Sequence, residues 1–403
     1  MFHKQFTQFL PKNLLFLALF ALFCKVNLTA QVFHDQFFRQ VAKEGMDLMY
    51  RQQHEAAEDK LETLLQNYSH HPAPYFLLAT NRWWQSYIST TPHYHQYIDQ
   101  NLTKALELNK KLAEKEELAL EYTFFQYMCH AFKTRLHTLR REWLRAANSG
   151  LHALPLIKSC IKYGEESPEF YFSAGIYHYY AEAYPEEHSY LKPLMNLFPD
   201  GSADKGLTEM EKAASIPNFT QIESSYYLTD VYIYWKEDFN KAVENARKLY
   251  AQYPSNSWFF AEYVRALNYA GKYEEALALM EKVIGLFEKM EGHSSRHISS
   301  TESPLTAKLM TRLYHYRGKA LLLGRNQPKE ALSSFKQSLK QAELSGIPAY
   351  AYIPSDYLYM GYCKDRLGLR EEAIAFYKKA LAAEDNDLIK EKAKGCLGQK
   401  CWE

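Results

Sequence analysis

The sequence predicts an all-α protein: a right-handed α-solenoid of stacked antiparallel helix pairs. Two observations carry the prediction. Ala242 and Ala276 lie 34 residues apart, each at the same place in a helix–turn–helix unit, within a stretch spanning 223–290. Around them Tyr226 and Phe260, and Leu249 and Val283, recur at the same 34-residue offset, with Pro254 in the first unit and Gly271 in the second. A fixed period of this length marks a unit that cannot bury its apolar face alone and must stack on a neighbour. The 403 residues suffice for several such units, and 47% hydrophobic with 24% charged content excludes a globally disordered chain.

Taken in order, residues 1–30 have the three parts of a secretory signal peptide: Lys4 and Lys12, an apolar run from Leu14 to Phe23, and Leu28-Thr29-Ala30 as a cleavage site before Gln31. The run is short for a bilayer span. Phe23 before Cys24 argues against a lipoprotein signal, which needs a small residue there. The expected product is exported, periplasmic or extracellular. Without Lys4, Lys12 and Lys25 the chain has 45 basic against 47 acidic residues, a balance that gives no reason to expect nucleic acid or an anionic membrane as partner.

Residues 31–165 are expected to form an N-terminal helical region with one or two degenerate units. A first pair covers 34–66, with Gly45 the small residue of its first helix and Ala57, Leu61 and Leu64 on its second. A helix with Trp83 and Trp84 follows from about Pro74 to Ser86, then a polar loop and a helix over Gln96–Leu112. Residues 116–163 carry apolar residues on several faces and should be packed from more than one side, with Pro155 breaking the helix.

Residues 166–403 are expected to be the regular solenoid. Ser167-Pro168 reads as an N-cap with proline at the first helical position. Tyr171 and Gly175 find their second-helix partners at Gly206, Met210 and Ala213, which requires an inserted loop near 185–204. That loop carries apolar residues, among them Leu191, Leu194 and Phe198, that must pack on something. After the central pair comes a Ser/Gly/His-rich loop, Glu291 to Pro304. Then follow units at Gly318/Ala331/Phe335 and Gly361/Ala373/Tyr377, and a C-terminal capping helix in Leu388 to Glu403. Cys396 and Cys401 are close enough in sequence to bridge in an oxidising compartment, while Cys129, Cys160 and Cys363 read as small buried residues.

These anchors resemble the tetratricopeptide repeat (TPR) family over about 34–70 and 167–382, five or six units in all. The family's helix-A tyrosine is replaced by Ile233 and by Lys364, and the steps from Ala276 to Ala331 and on to Ala373 are 55 and 42 residues. With its leader, its 32 tyrosines and its inserted loop, the chain looks like secreted TPR proteins of Bacteroidota-type bacteria. The resemblance implies a protein–protein interaction scaffold or assembly factor that binds a protein or peptide in a groove lined by the first helix of each pair. It places Tyr227, Tyr234 and Trp235 there, then Trp258, Arg265, Asn268 and Tyr269, then Arg312, His315 and Lys319, with Tyr362, Asp365 and Arg366 from the last unit. Val231 and Arg265 stand where the family's carboxylate clamp has asparagine, so that clamp is not expected. The alternative is an envelope protein that binds glycans or nutrients on its tyrosines and tryptophans.

No enzyme is expected. His54-Glu55-Ala56-Ala57-Glu58 lacks the second histidine of a zinc protease helix, and His93/His95 supply two ligands where a site needs more. Glu165-Glu166 and Glu186-Glu187 are adjacent in sequence and point apart on a helix. There is no P-loop, nucleophile elbow or dinucleotide fingerprint. Neither a metal nor a cofactor is expected.

Overall fold

A computed structural model describes residues 31–89, 92–114, 116–187, 199–293, 306–345, 352–383 and 387–401. Within them the chain is helical, with no strand. The helices are α1 (Gln36–Tyr50), α2 (His54–Glu62), α3 (Leu65–Tyr68), α4 (Pro72–Ser89), α5 (His95–Leu112), α6 (Ala119–Leu139), α7 (Trp143–Ala153), α8 (Ile157–Tyr163), α9 (Tyr171–Glu187) and α10 (Ala203–Ser215). The second half holds α11 (Gln221–Tyr234), α12 (Phe239–Gln252), α13 (Ser257–Tyr269), α14 (Tyr273–His293), α15 (Ala307–Leu323), α16 (Pro328–Ser345), α17 (Ile353–Arg366), α18 (Arg370–Ala382) and α19 (Asp387–Gly398). Each odd helix from α9 packs on the even helix after it and on the next odd helix, and α19 closes the row against α17 and α18. This is the TPR-like solenoid of stacked helix pairs.

Local chemistry sets the ends of these helices. Asn256 caps α13, its Oδ1 accepting from the amides of Trp258 and Phe259, each at 3.0 Å. Asp35, Ser202, Asp238 and Thr306 cap α1, α10, α12 and α15 in the same way. At the other end of α13, Gly271 takes φ +68°, a left-handed conformation that lets the amide of Lys272 reach back to the carbonyl of Leu267. Ser167 departs from expectation. Pro168 does begin a helical turn, but the Ser167 side chain makes no cap bond, and a 3₁₀ turn intervenes before α9.

The small residues occupy closest approaches. Ala57, Ala213, Ala242, Ala276, Ala331 and Ala373 are all fully buried. At the contact of α9 with α10, glycine faces glycine: a Cβ on Gly206 would stand 2.6 Å from the carbonyl oxygen of Gly175 and against the amide of Tyr179. Of the expected inserted loop, α9 takes the first part, with Pro185 inside it, and residues 188–198 with their apolar side chains lie outside the described residues. Most of the Glu291–Pro304 loop does too. The Pro155 break appears as a 3₁₀ turn between α7 and α8. Cys396 and Cys401 are joined in a disulfide, and Cys129, Cys160 and Cys363 are buried thiols.

One feature has no periodic precursor in the sequence. The N-terminal helices fold back on the middle of the solenoid. Asn256 Nδ2 donates to the carbonyl of Tyr50 at 2.8 Å, Tyr253 donates its hydroxyl to Asp47 at 2.7 Å, and Ser255 donates to the carbonyl of Arg51 at 3.0 Å. A single aromatic cluster joins Tyr50 and Trp84 to Tyr226, Tyr253 and Phe259. Trp84 Nε1 donates to Glu223 at 2.9 Å, which also pairs with Arg135 at 3.4 Å. Gly206→Ala is expected to force α9 and α10 apart, because backbone atoms cannot step aside, and to lower stability by about 1–3 kcal/mol or more in urea unfolding.

Candidate functional site

Helical spacing of three and four residues brings one face of each odd helix onto a shared surface. α11 contributes Tyr227, Asp230 and Tyr234. α13 contributes Trp258, Glu262, Arg265 and Tyr269. α15 contributes Lys308, Arg312, His315 and Lys319, and α17 adds Asp356 and Tyr359. Their packing makes an ion network through the middle of the solenoid. Arg312 donates from Nη2 to Glu262 at 2.5 Å. Arg265 ion-pairs with Glu262 on its own helix and with Asp230 on α11, and reaches the Tyr234 hydroxyl at 3.2 Å. His315 Nδ1 meets Asp356 Oδ1 at 2.6 Å.

Burial alone would raise the Glu262 carboxyl, but Arg265 and Arg312 outweigh it and hold the group below the usual carboxylate range. Asp230 is raised by burial in spite of Arg265, and Asp356 likewise in spite of His315. Burial lowers His315 even though Asp356 opposes it.

Aromatic rings from the N-terminal helices continue this network. Arg135 lies 3.8 Å from the Trp83 ring, which stacks on Tyr87 at 4.8 Å. Lys308 Nζ stands 4.2 Å from the Tyr87 ring and 4.8 Å from that of Trp258, and Arg312 covers Trp258 at 4.1 Å. The result is an alternation of cations and rings from α6 through α4 to α13 and α15. At the other end Lys319 Nζ lies 4.8 Å from the Tyr269 ring and 5.3 Å from that of Tyr359, while Tyr234 packs edge-on to Tyr269 at 5.7 Å.

The structure therefore brings together Tyr227, Tyr234, Trp258, Arg265, Tyr269, Arg312, His315 and Lys319. Within this set Trp258, Arg265, Arg312 and His315 are buried, whereas Tyr234 is 51% exposed. Tyr227, Tyr269 and Lys319 are partly exposed. Tyr227 sits under Arg135 and against Phe172. Asn268 is buried and donates to the carbonyl of Val264 on its own helix. Trp235 packs away from the cluster, against Tyr179 and Tyr180. Tyr362 and Asp365 belong to the C-terminal closure. Asp365 accepts from Arg370, from Tyr377 and from the amide of Cys401. Arg366 reaches Asn326 and the carbonyl of Leu322.

Sequence reasoning missed Lys308, Glu262 and Asp230, and the part played by Trp83 and Tyr87. Lys308 and Glu262 were within reach: each lies one turn from a residue already on the face, Arg312 and Trp258 respectively. Among the described residues, no group of histidine, cysteine and carboxylate side chains could hold a metal ion, and no helix is long and apolar enough to cross a membrane.

No family model and no curated protein matches the sequence. Among solved structures, the chain aligns with human IFIT1, solved as a dimer with PPP-AAAA. Identity is 13% and the TM-score 0.42, over 85% of this chain and 71% of that one. It aligns also with the TPR domain of P58(IPK), at 14% identity and a TM-score of 0.22, over 88% of this chain and 96% of that one. Scores of this size carry no inference about function, and the fold stands on its own helix pairing.

Two outcomes follow from the network. Glu262→Gln leaves Arg265 and Arg312 buried with one carboxylate fewer, and a loss of about 3–5 kcal/mol is expected in chemical denaturation. Lys308 is lowered to about 7, by burial and by Arg312. Between that value and the ordinary lysine range, the unfolded chain holds a proton the folded chain has released, so stability must rise with pH across this window. Lys308→Met is expected to make that rise shallower when urea midpoints are compared between about pH 7 and pH 10.

Proposed function

We propose that the chain is an exported interaction scaffold that binds a protein or peptide segment along its odd-helix face, without chemistry. The observation that carries this reading is the open end of that face. There Tyr234, half exposed, adjoins Tyr269, Lys319 and Tyr359, all partly exposed, on four successive odd helices. Rigid rings offer large contact area at small entropic cost, and an ammonium set among them adds a polar handle. Buried charge pairs beneath fix the helices that present these groups. Tyr234→Ala removes an exposed ring without opening the core. It is expected to weaken a peptide ligand, selected from a random library on the purified chain, by about tenfold, a loss typical of an interface anchor. A ligand bound equally well by this variant would reject the face.

Export is part of the same proposal. It is supported by the leader and by the Cys396–Cys401 disulfide, a bond that persists in oxidising compartments. An envelope role of the Bacteroidota-like kind is the form it would take. Sequencing the N-terminus of the protein made with its leader in a Gram-negative host is expected to begin at Gln31. A start at Met1 would oppose cleavage.

A further inference from the structure

We infer that the occupant of this face is an acidic peptide segment whose carboxylates, spaced along an extended chain, engage Lys308 and Lys319. The inference rests on the reading above and names the chemistry of its partner. The first ground is charge. Arg135, Arg265 and Arg312 each have a carboxylate, in Glu223, in Asp230 and Glu262, and in Glu262 respectively. Lys308 and Lys319 have none among the described residues. Lys308 faces Arg312 on its own helix, Trp258 on α13 and the ring and carbonyl of Tyr87 on α4. Lys319 faces Tyr316 on its own helix, Tyr269 on α13, Tyr359 on α17 and Lys392 on α19. His315, also on α15, is already taken by Asp356.

The second ground is unspent donors. Beside Lys308, Trp258 Nε1 and both Nε and Nη1 of Arg312 are buried without a hydrogen-bond partner among the described residues. Buried N–H groups of this kind are costly unless something accepts from them. A carboxylate entering at Lys308, the partly open group beside them, brings a negative charge and acceptor oxygens to this donor-rich end of the face.

The third ground is reach. Lys308 and Lys319 are both partly open to solvent. They are eleven residues apart on one helix, so their stems are separated by about 16 Å. An extended peptide covers that distance in about five residues, and because its side chains alternate, carboxylates about four or about six residues apart bracket it from one side of the strand. A ligand with two carboxylates at that spacing can satisfy both lysines without leaving the face. Tyr87 at one end and Tyr359 at the other offer rings to the residues between.

Burial has lowered both ammonium groups, Lys308 to about 7 and Lys319 to about 8, the latter assisted by Lys392. A carboxylate arriving beside either must raise it again, so binding should take up protons in mildly alkaline solution.

The test is a titration of the full chain with fluorescent peptides bearing two glutamates about four or about six residues apart, each run beside the same peptide with glutamines. Calorimetry in two buffers of different ionisation heat reads the proton uptake. The glutamate peptide is expected to bind about tenfold or more tightly than its glutamine twin. Lys308→Met and Lys319→Met should each remove most of that advantage, and Lys308→Arg should keep it. Circular dichroism checks that each variant is folded. Equal binding of the two peptides, or an advantage that survives both methionine variants, overturns the inference. If the two peptides bind equally and Tyr234→Ala abolishes both, the scaffold reading stands and the acidic partner falls. If neither peptide nor any library peptide binds, both fall. Inorganic phosphate displacing the glutamate peptide at equal or lower concentration would assign the cations to a phosphate ligand and also overturn the inference.

Discussion

A single buried carboxylate, Glu262, holds the middle of this protein together. It lies between Arg265 on its own helix and Arg312 on α15, so three charges from two helices share one dry space. Removing charge from water costs several kcal/mol per ion, and only mutual pairing with good geometry offsets that cost. Asp230 takes the second valence of Arg265 and carries the pairing to α11. Three successive odd helices are therefore pinned at one level by alternating sign. A wholly apolar contact at the same place would be as stable or more so, but it would tolerate sliding. The ion pairs fix register.

The rings around this network extend its influence in two directions. Toward the N-terminus, Trp258, Tyr87 and Trp83 transmit it to α4 and α6 through cations seated on their faces. Toward the C-terminus, Tyr234, Tyr269 and Tyr359 bring it to the surface. The buried part keeps the helices still, and the surface part presents groups that a partner can touch. In the proposed reading one set of side chains serves stability at its centre and recognition at its rim, so a change at the centre tests folding and a change at the rim tests binding.

Much of the fold was legible because repetition is a local property. Ala242, Ala276, Ala331 and Ala373 mark the tight crossings, and glycine or alanine opposite a bulky residue identifies each pair before any coordinate is known. Which residues share a face also followed from register: Trp258, Arg265, Arg312 and Lys319 lie on one face with Tyr234. What could not be read was depth. Register says which way a side chain points but not what covers it, and the cover on Trp258 and Tyr227 comes from Tyr87 and Arg135 on N-terminal helices, 171 and 92 residues away in sequence, with no period linking them. Trp235 shows the complementary failure: it follows directly on α11, and one residue beyond a face is enough to turn a ring to the opposite side.

The contact of Tyr50 and Arg51 with Ser255 and Asn256 alters how the molecule can come apart. In an open solenoid each unit touches only its neighbours, stability is close to a sum of nearest-neighbour terms, and ends can fray or be trimmed at small cost. Here the end of the first helix and the turn between α12 and α13 are stitched across more than 200 residues. Such a closure joins the first half into one cooperative block, makes its formation wait on a long loop being drawn shut, and denies a protease the gradual unpeeling that a linear array would permit. α15 is still tied to α4 through Lys308 and Tyr87, and α16 to α19 remain as the part that can respond one pair at a time.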